Sequence, residues 1–268
     1  MHGIGNDFVV VNALESRIPE SDLPDLAVEM CARRTGVGSD GLIYLDSEPQ
    51  RGLTMRMFNP DGSESEMCGN GLRCAAIYFF DEGFATRRTF LISMAGRPIG
   101  CEVLGDEVRI SMGKYSMTAN DIGLGDTVTT PAINERFEIG GIERIGTAIA
   151  VGNPHLIFFV DSGETIDYAA EGPQWEHHPA FQNRTNVHFV EVLSKDSVKQ
   201  ITWERGAGLT HACGSGACAA AVAGTLTGKS NAQVSVSLPG GNLQIDVLPS
   251  GEVELTGPAK RVYDGIWR

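Results

Sequence analysis

Two stretches of this chain are near copies of each other, and that repeat limits the folds open to it. Met67-Cys68-Gly69-Asn70-Gly71 stands in the first half and Ala212-Cys213-Gly214-Ser215-Gly216 in the second. Each sets a cysteine in a Cys-Gly-x-Gly turn and runs on into an apolar, small-residue segment, Leu72 to Phe80 in one copy and Ala217 to Ala223 in the other. Such a segment predicts a helix with the cysteine at its N-terminus. Backbone N–H groups at a helix start, and the positive end of the helix dipole, lower a thiol's pKa. One cysteine so placed suggests a nucleophile. Two matched ones suggest a pair of bases working together.

Around both turns the pattern is that of strands. Phe8 to Val11, Gly41 to Leu45, Thr54 to Phe58 and Glu107 to Met112 have strand length, several with period-2 alternation. The second half repeats the habit at Ala148 to Val151, Leu156 to Val160, Val187 to Val192, Val198 to Trp203, Val234 to Leu238, Leu243 to Val247 and Val253 to Leu255. Turns are marked by Asn59-Pro60-Asp61-Gly62 and Pro239-Gly240-Gly241-Asn242. Further helices are expected at Leu23 to Arg33 and Glu171 to His177. The shared order of parts predicts two similar α+β domains from a duplication, each wrapping a sheet around one helix. Their expected extents are 1–115 with a return segment 259–268, and 116–258. The alternative is one mixed domain with a chance repeat.

Composition narrows the partners. A formal net charge of −13 over 268 residues argues against nucleic acid, whose phosphates call for a basic face, and against an anionic membrane surface. The start of the chain has neither the basic residues nor the apolar run of a signal peptide, and no apolar stretch approaches a membrane span. The six cysteines are spread along a chain with no secretory signal, so a reducing, cytoplasmic setting is expected over a disulfide framework. Cys31, Cys74, Cys101 and Cys218 read as small buried hydrophobes. The Cys-x5-Cys and Cys-x4-Cys spacings are not those of common zinc sites, so no metal is expected, and no Cys-x-x-Cys is present.

If both turns face one cleft, each offers a low-pKa sulfur plus backbone N–H donors, from Gly69 and Asn70 or from Gly214 and Ser215. Donors at helix starts bind anions, and a carboxylate fits between them. A carbon attached to that carboxylate then lies between two sulfurs. This suits stereoinversion: one thiolate removes a proton from one face and the opposite thiol returns one to the other. The aligned donors stabilise the charge that develops on the carboxylate.

These turns, together with His2-Gly3-Ile4-Gly5-Asn6-Asp7-Phe8, Asn59-Pro60-Asp61-Gly62-Ser63-Glu64, Gly152-Asn153-Pro154-His155, Asn183-Arg184-Thr185-Asn186-Val187, Trp203-Glu204-Arg205-Gly206-Ala207-Gly208 and Val262-Tyr263-Asp264-Gly265, run in one order along nearly the whole chain. In that order they resemble the diaminopimelate epimerase family, cofactor-independent enzymes that interconvert LL- and meso-diaminopimelate. The resemblance implies two pseudo-symmetric α+β domains, each a mostly antiparallel sheet wrapped as a barrel around a central helix. It implies that Cys68 and Cys213 are the acid/base pair, with Gly69, Asn70, Gly214 and Ser215 cradling the carboxylate at the reacting carbon. Asn6, Asn59, Asn153, Asn186 and Arg205 match positions that hold the substrate's ammonium and carboxylate groups. Arg205 is suited to a distal carboxylate through its planar fork. His155 and Glu204 match residues that tune the thiols, Glu204 also lying among the substrate contacts, and Tyr263 matches a position at a homodimer interface. No cofactor is implied, and the pathway is lysine and peptidoglycan precursor synthesis.

Bland readings stand beside these. Asn59 and Asn153 are also ordinary turn residues, and Glu204-Arg205 an ordinary surface pair. His177 and His178 read as residues of a polar loop. Two other functions compete: racemisation of another amino acid, of the proline, hydroxyproline or histidine type, and a thiol switch without catalysis. The first would keep the cysteines and lose the distal fork. The second would tolerate loss of Glu204 and Arg205.

Overall fold

The alternating runs become strands, and the small-residue runs behind the two cysteines become helices that those strands enclose. The structure is a computed structural model that describes residues 1–13, 17–48, 52–65, 67–125 and 128–267. The chain divides into two units, Met1–Ser111 with Thr256–Arg268, and Met112–Leu255.

In the first unit the elements are β1 (His2–Gly3), β2 (Asn6–Asn12), α1 (Leu23–Cys31), β3 (Gly41–Glu48), β4 (Gly52–Phe58), α2 (Gly69–Asp81), β5 (Thr89–Met94), β6 (Arg97–Leu104) and β7 (Glu107–Lys114), the last running on into the second unit. The strands lie side by side in chain order. β2 with β3 and β4 with β5 are parallel, and the other pairs are antiparallel. Parallel neighbours need a crossover, which α1 and α2 supply. β1, β2, β3, β4 and β6 all touch α2, and from Gly69 to Ile77 that helix is buried on every side.

The second unit adds α3 (Ala119–Ile122), β8 (Glu135–Ile139), β9 (Ile142–Ala150), β10 (Pro154–Val160), α4 (Tyr168–Glu176), β11 (Asn186–Ser194), β12 (Ser197–Glu204), β13 (Gly208–Thr210), α5 (Gly214–Leu226), β14 (Gln233–Leu238), β15 (Gly241–Val247) and β16 (Glu252–Pro258). Its order is β16-β15-β14-β12-β11-β10-β9-β8, with β13 on the side of β12. The pattern of the first unit returns. β10 with β11 and β12 with β14 are parallel, crossed by α4 and by α5, and antiparallel neighbours flank them. The unit β2-α1-β3-β4-α2-β5-β6 thus corresponds to β10-α4-β11-β12-α5-β14-β15. α5 is apolar all round, as a helix enclosed by a sheet must be, and its alanines let β9, β10, β11, β14 and β15 approach closely.

The architecture is α+β and mostly antiparallel, as the repeat and the resemblance imply. The expected helix to Arg33 stops at Cys31, because Gly38 N–H and Ser39 N–H bond back to the carbonyls of Met30 and Cys31 and turn the chain away. The helix expected from Glu171 starts at Tyr168, capped by the Asp167 side chain on Ala170 N–H. β1, β5, β6, β8, β13 and α3 go beyond the elements read from the sequence. His178 is not a loop residue in water: it is buried, stacks on Trp175 and bonds the Glu138 carbonyl. Cys31, Cys74, Cys101 and Cys218 are buried packing residues, and burial pushes the Cys74 and Cys101 thiols up to about 12. Among the described residues no helix is long and apolar enough to cross a membrane.

Candidate active site

The first cysteine turn follows β4 and the Asn59-Pro60-Asp61-Gly62 turn. Asn59 is committed to that turn. Its N–H donates to the Ser63 carbonyl, its carbonyl accepts from Gly62 N–H, and its side-chain amide donates to Ser63 Oγ at 2.9 Å. Cys68 then sits as the N-cap of α2 in extended backbone, partly exposed, its Sγ accepting from Gly71 N–H at 3.3 Å. The sulfur takes the place that a serine or aspartate oxygen fills at other helix starts.

Behind this turn runs a polar chain through the unit. Arg73, fully buried on α2, donates to the Asn70 side chain at 2.9 Å, to the Gly69 carbonyl at 3.3 Å and to the Pro258 carbonyl at 3.2 Å. Asn70 donates to Asn6 Oδ1 at 3.0 Å, and Asn6 donates to Asp40 Oδ2 at 2.8 Å. Asp40 meets the outer guanidinium of Arg33 at 2.6 Å. Burial works against the charge on Asp40, but hydrogen bonds from Asn6, the Asp7 amide and Arg33 outweigh it and hold the carboxyl below its ordinary range. Asn6 and Asn70 are thus set in place by Asp40 and Arg73, neither of which the sequence reading named.

In the second unit Cys213 is the N-cap of α5 and only 3% exposed, with Sγ 3.8 Å from Ser215 Oγ. The expectation of a lowered pKa fails here. Burial first, then the Glu204 carboxylate, push its thiol well above the ordinary cysteine value, and the Gly216 amide and the Ser215 hydroxyl oppose this only in part. A helix end stabilises charge by about 1 kcal/mol, whereas full burial of a charged group costs several. Desolvation wins.

Glu204 ends β12, and the loop after it is clamped. Asn186, buried on β11, accepts from the Arg205 N–H at 3.0 Å and donates to the Pro154 carbonyl at 2.8 Å. Glu176 accepts from Gly206 N–H at 3.0 Å and Trp203 Nε1 at 2.8 Å. Arg205, half-buried, reaches the Asn183 carbonyl at 3.1 Å. Asn153 is half-buried in the turn before β10, and its carbonyl accepts from Val151 N–H. His155 is fully buried on β10, with Nδ1 2.9 Å from His188 Nε2. Burial, then His188 and Arg205, hold its pKa well below the ordinary histidine value. Tyr263 lies apart from both turns in sequence and is 65% exposed, near the end of the chain.

Hydrogen bonds therefore join Asn6 to Asn70 in the first unit, and Asn186 to Arg205 in the second, while Glu204 acts on Cys213 by charge. Asn59 stands in its own turn. His188, Gln200 and Thr202 are further buried polar residues near His155, on strands read only as apolar runs. β11 is buried on both faces from Asn186 to Val190, and in β12 the polar Gln200 and Thr202 share the buried face with Val198 while Ile201 and Trp203 take the other, so the apolar runs do not single out these three positions. Among the described residues no three His, Cys, Asp or Glu side chains are gathered as ligands for a metal ion.

Comparison with known proteins bears on what this arrangement serves. One family's sequence model, described as diaminopimelate epimerase, matches residues 1–118 and 147–262. A diaminopimelate epimerase from Moorella thermoacetica is 47% identical, over 99% of this chain and 96% of its own. Those of Desulforudis audaxviator and Bacillus subtilis are 44% and 39% identical, each over 100% of this chain and 97% and 96% of their own. Among solved structures, a PhzF-family phenazine biosynthesis protein from Bacillus anthracis aligns with a TM-score of 0.69 at 13% identity, covering 96% of this chain and 92% of that one. A hydroxyproline epimerase from Agrobacterium vitis aligns with a TM-score of 0.67 at 12% identity, covering 96% and 87%. These two share the fold.

Proposed function

The chain belongs to the diaminopimelate epimerase family, and from that premise we propose that it is an isomerase interconverting LL- and meso-diaminopimelate with Cys68 and Cys213 as its acid/base pair. The observation that carries the reading is the twin placement of those cysteines, each the N-cap of a 13-residue buried helix that crosses between parallel strands of its own unit.

Inversion at one carbon needs a base on one face and an acid on the other. Burial and Glu204 keep Cys213 protonated, which suits it to be the acid in the substrate-free protein and leaves the part-exposed Cys68 as the base. In the step, the Cys68 thiolate forms an S–H bond as the Cα–H bond breaks, and the electron pair is delocalised into the carboxylate. The Cys213 S–H then breaks as its proton joins Cα from the opposite face, leaving a thiolate. The reverse reaction starts from that second state. N–H groups of Gly69, Asn70, Gly214 and Ser215 at the helix starts meet the carboxylate where charge grows.

The distal amino-acid end falls to Arg205, whose guanidinium pairs with a carboxylate, and to the amides of Asn6, Asn59, Asn153 and Asn186. Asn186 spends one N–H on Pro154 and has a second, as every side-chain amide does. His155 and Glu204 tune the thiols. The reading also carries a cytoplasmic enzyme, where thiols stay reduced, and a homodimer that covers the exposed Val262, Tyr263 and Ile266.

The test is exchange in deuterated water. Reduced protein given LL-diaminopimelate should place deuterium at the α-carbon as the meso form accumulates, and should leave L-proline and trans-4-hydroxy-L-proline unlabelled. Absence of exchange under reducing conditions refutes the reading. Exchange at proline instead of diaminopimelate turns it to the alternative racemase.

A further inference from the structure

The second cysteine turn rests on a buried imidazole, His188, which is paired with a second one, His155. His155 on β10, His188 on β11, and Gln200 and Thr202 on β12 face the interior of the second unit, and all four are completely buried. His188 stands opposite Thr202 in the antiparallel β11–β12 register and opposite Ile157, two residues beyond His155, in the parallel β10–β11 register. A Cβ added at Gly216, the last glycine of the Cys213 turn, would fall on His188 Cε1 and lie 2.9 Å from each ring nitrogen. The imidazole fills the space that this glycine leaves, directly under the turn.

Hydrogen bonds decide where the protons sit. Gln200 Nε2 has only N–H to give, and it donates to Thr202 Oγ1 at 2.9 Å and to His188 Nδ1 at 3.1 Å. The Thr202 hydroxyl lies 3.0 Å from the same Nδ1. Exchanging the amide's O and N would bury two unmatched N–H donors where one carbonyl oxygen now stands unmatched, which is the costlier choice. His188 Nδ1 is therefore an acceptor. Burial lowers the pKa of His188 to about 3 and holds His155 well below the ordinary value, so each ring carries one proton near neutral pH. The His188 proton is then on Nε2 and is donated to His155 Nδ1 across 2.9 Å. That leaves the His155 proton on Nε2, which is buried and has no hydrogen-bond partner in the described structure. An unmatched donor in so dry a place is costly unless an acceptor arrives.

We propose that His188, its proton placed by Gln200 and Thr202, is a positioning residue that locks His155 as the Nε2–H tautomer, so that His155 meets an anion as a hydrogen-bond donor and not as a base. The second half of this rests on the proposed role of His155 as a thiol-tuning residue, whereas the tautomer stands without it. The relay works outward from an amide: Gln200 N–H to His188, His188 N–H to His155, His155 N–H to the anion. Each link is a donor, and no link accepts a proton in turnover.

The test reads the tautomer directly, by 15N NMR of the full-length, substrate-free protein labelled at histidine, with His155→Gln used only to assign the signals. His155 and His188 should each show a bare Nδ1 and a protonated Nε2 at pH 7. A protonated Nδ1 on His155, or an imidazolium on either ring, overturns the proposal whatever the enzyme's substrate proves to be. His188→Leu should leave His155 as a mixture of tautomers and lower kcat about tenfold with KM unchanged, a fraction of what a wrong tautomer costs a triad histidine. His188→Gln, which can offer an amide N–H in place of Nε2–H, should restore both the single tautomer and most of kcat. Equal loss in both variants with an unmoved His155 spectrum counts against a positioning role.

Discussion

The two cysteine turns share a backbone and differ in what lies behind it. At the first, the sulfur is partly exposed and takes an N–H from Gly71, and its helix is backed by the Arg73 guanidinium and a polar chain that runs through Asn70, Asn6 and Asp40 to Arg33. At the second, the sulfur is buried beside Glu204, and the turn is backed by the neutral His188 imidazole under Gly216, itself bonded to His155. The two units share one scaffold, down to the order of parallel and antiparallel pairs, and diverge in its polar backing. For a stereoinversion that divergence has a use. A symmetric pair of sulfurs would ionise alike, whereas one base and one acid must be ready at the same moment.

The largest effect should come from removing either sulfur. Cys68→Ala and Cys213→Ala should each lower epimerisation by on the order of 10²–10⁴-fold, the usual worth of general acid–base catalysis, with circular dichroism unchanged. Substantial activity in either variant breaks the two-base scheme. Primary solvent isotope effects measured in the two reaction directions then sharpen it, since unlike sulfurs should give unlike values.

A smaller effect separates the turns by packing. Gly216→Ala drives a methyl into the His188 ring, which has no room to move, and should destabilise the protein by about 2 kcal/mol in urea unfolding. The matching Gly71→Ala meets Met55 Cε at 2.8 Å, the end of a flexible side chain, and then Cys68 Sγ at 3.2 Å. It should cost less stability and disturb turnover more. Equal destabilisation would show that the two backings are mechanically alike.

Acid should separate them more gently. His188 has a folded pKa of about 3 against an ordinary 6.5, so between those values the unfolded chain binds more protons than the folded one. The stability held by its neutral ring is full above pH 6.5 and is lost as pH falls, by up to about 1.4 kcal/mol per pH unit for one such histidine. His155 is shifted in the same direction, whereas α2 carries no histidine. Amide exchange, corrected for its intrinsic pH dependence, should therefore rise in β10, β11 and α5 between pH 6.5 and 5.5 while α2 holds. A loss spread evenly over both helices would count against the buried imidazoles as its source.

How much of this was legible beforehand follows from where each interaction lives. Strand runs such as Val187 to Val192 and Leu156 to Val160 carry their period in the sequence, and the paired Cys-Gly-x-Gly turns announce both helices. Arg73 looks there like one charged residue in an apolar helix. Its burial depends on the Pro258 carbonyl, far along the chain, and on an asparagine one turn away. His188, Gln200 and Thr202 meet only when β11 and β12 pair, so spacing within one segment could not show them. The Cys213 thiol was misjudged for a related reason. The helix end is a local signal that the turn displays, while burial and the Glu204 carboxylate come from the finished fold and outweigh it.

The hydrogen bond from Arg73 to the Pro258 carbonyl, with the His2 to Lys260 bridge beside it, also sets a schedule. The second unit is one unbroken stretch, Met112–Leu255, and the first is closed only by residues from Thr256 onward. A ribosome makes the chain from its N-terminus, so the half that emerges first waits for the segment that emerges last, and the half made second has all its parts sooner. Cys68 is translated early and its surroundings are completed late. A chain that stops short of Pro258 has both sulfurs and lacks the fastening behind one of them, so the surroundings of Cys68 are whole only when synthesis is finished.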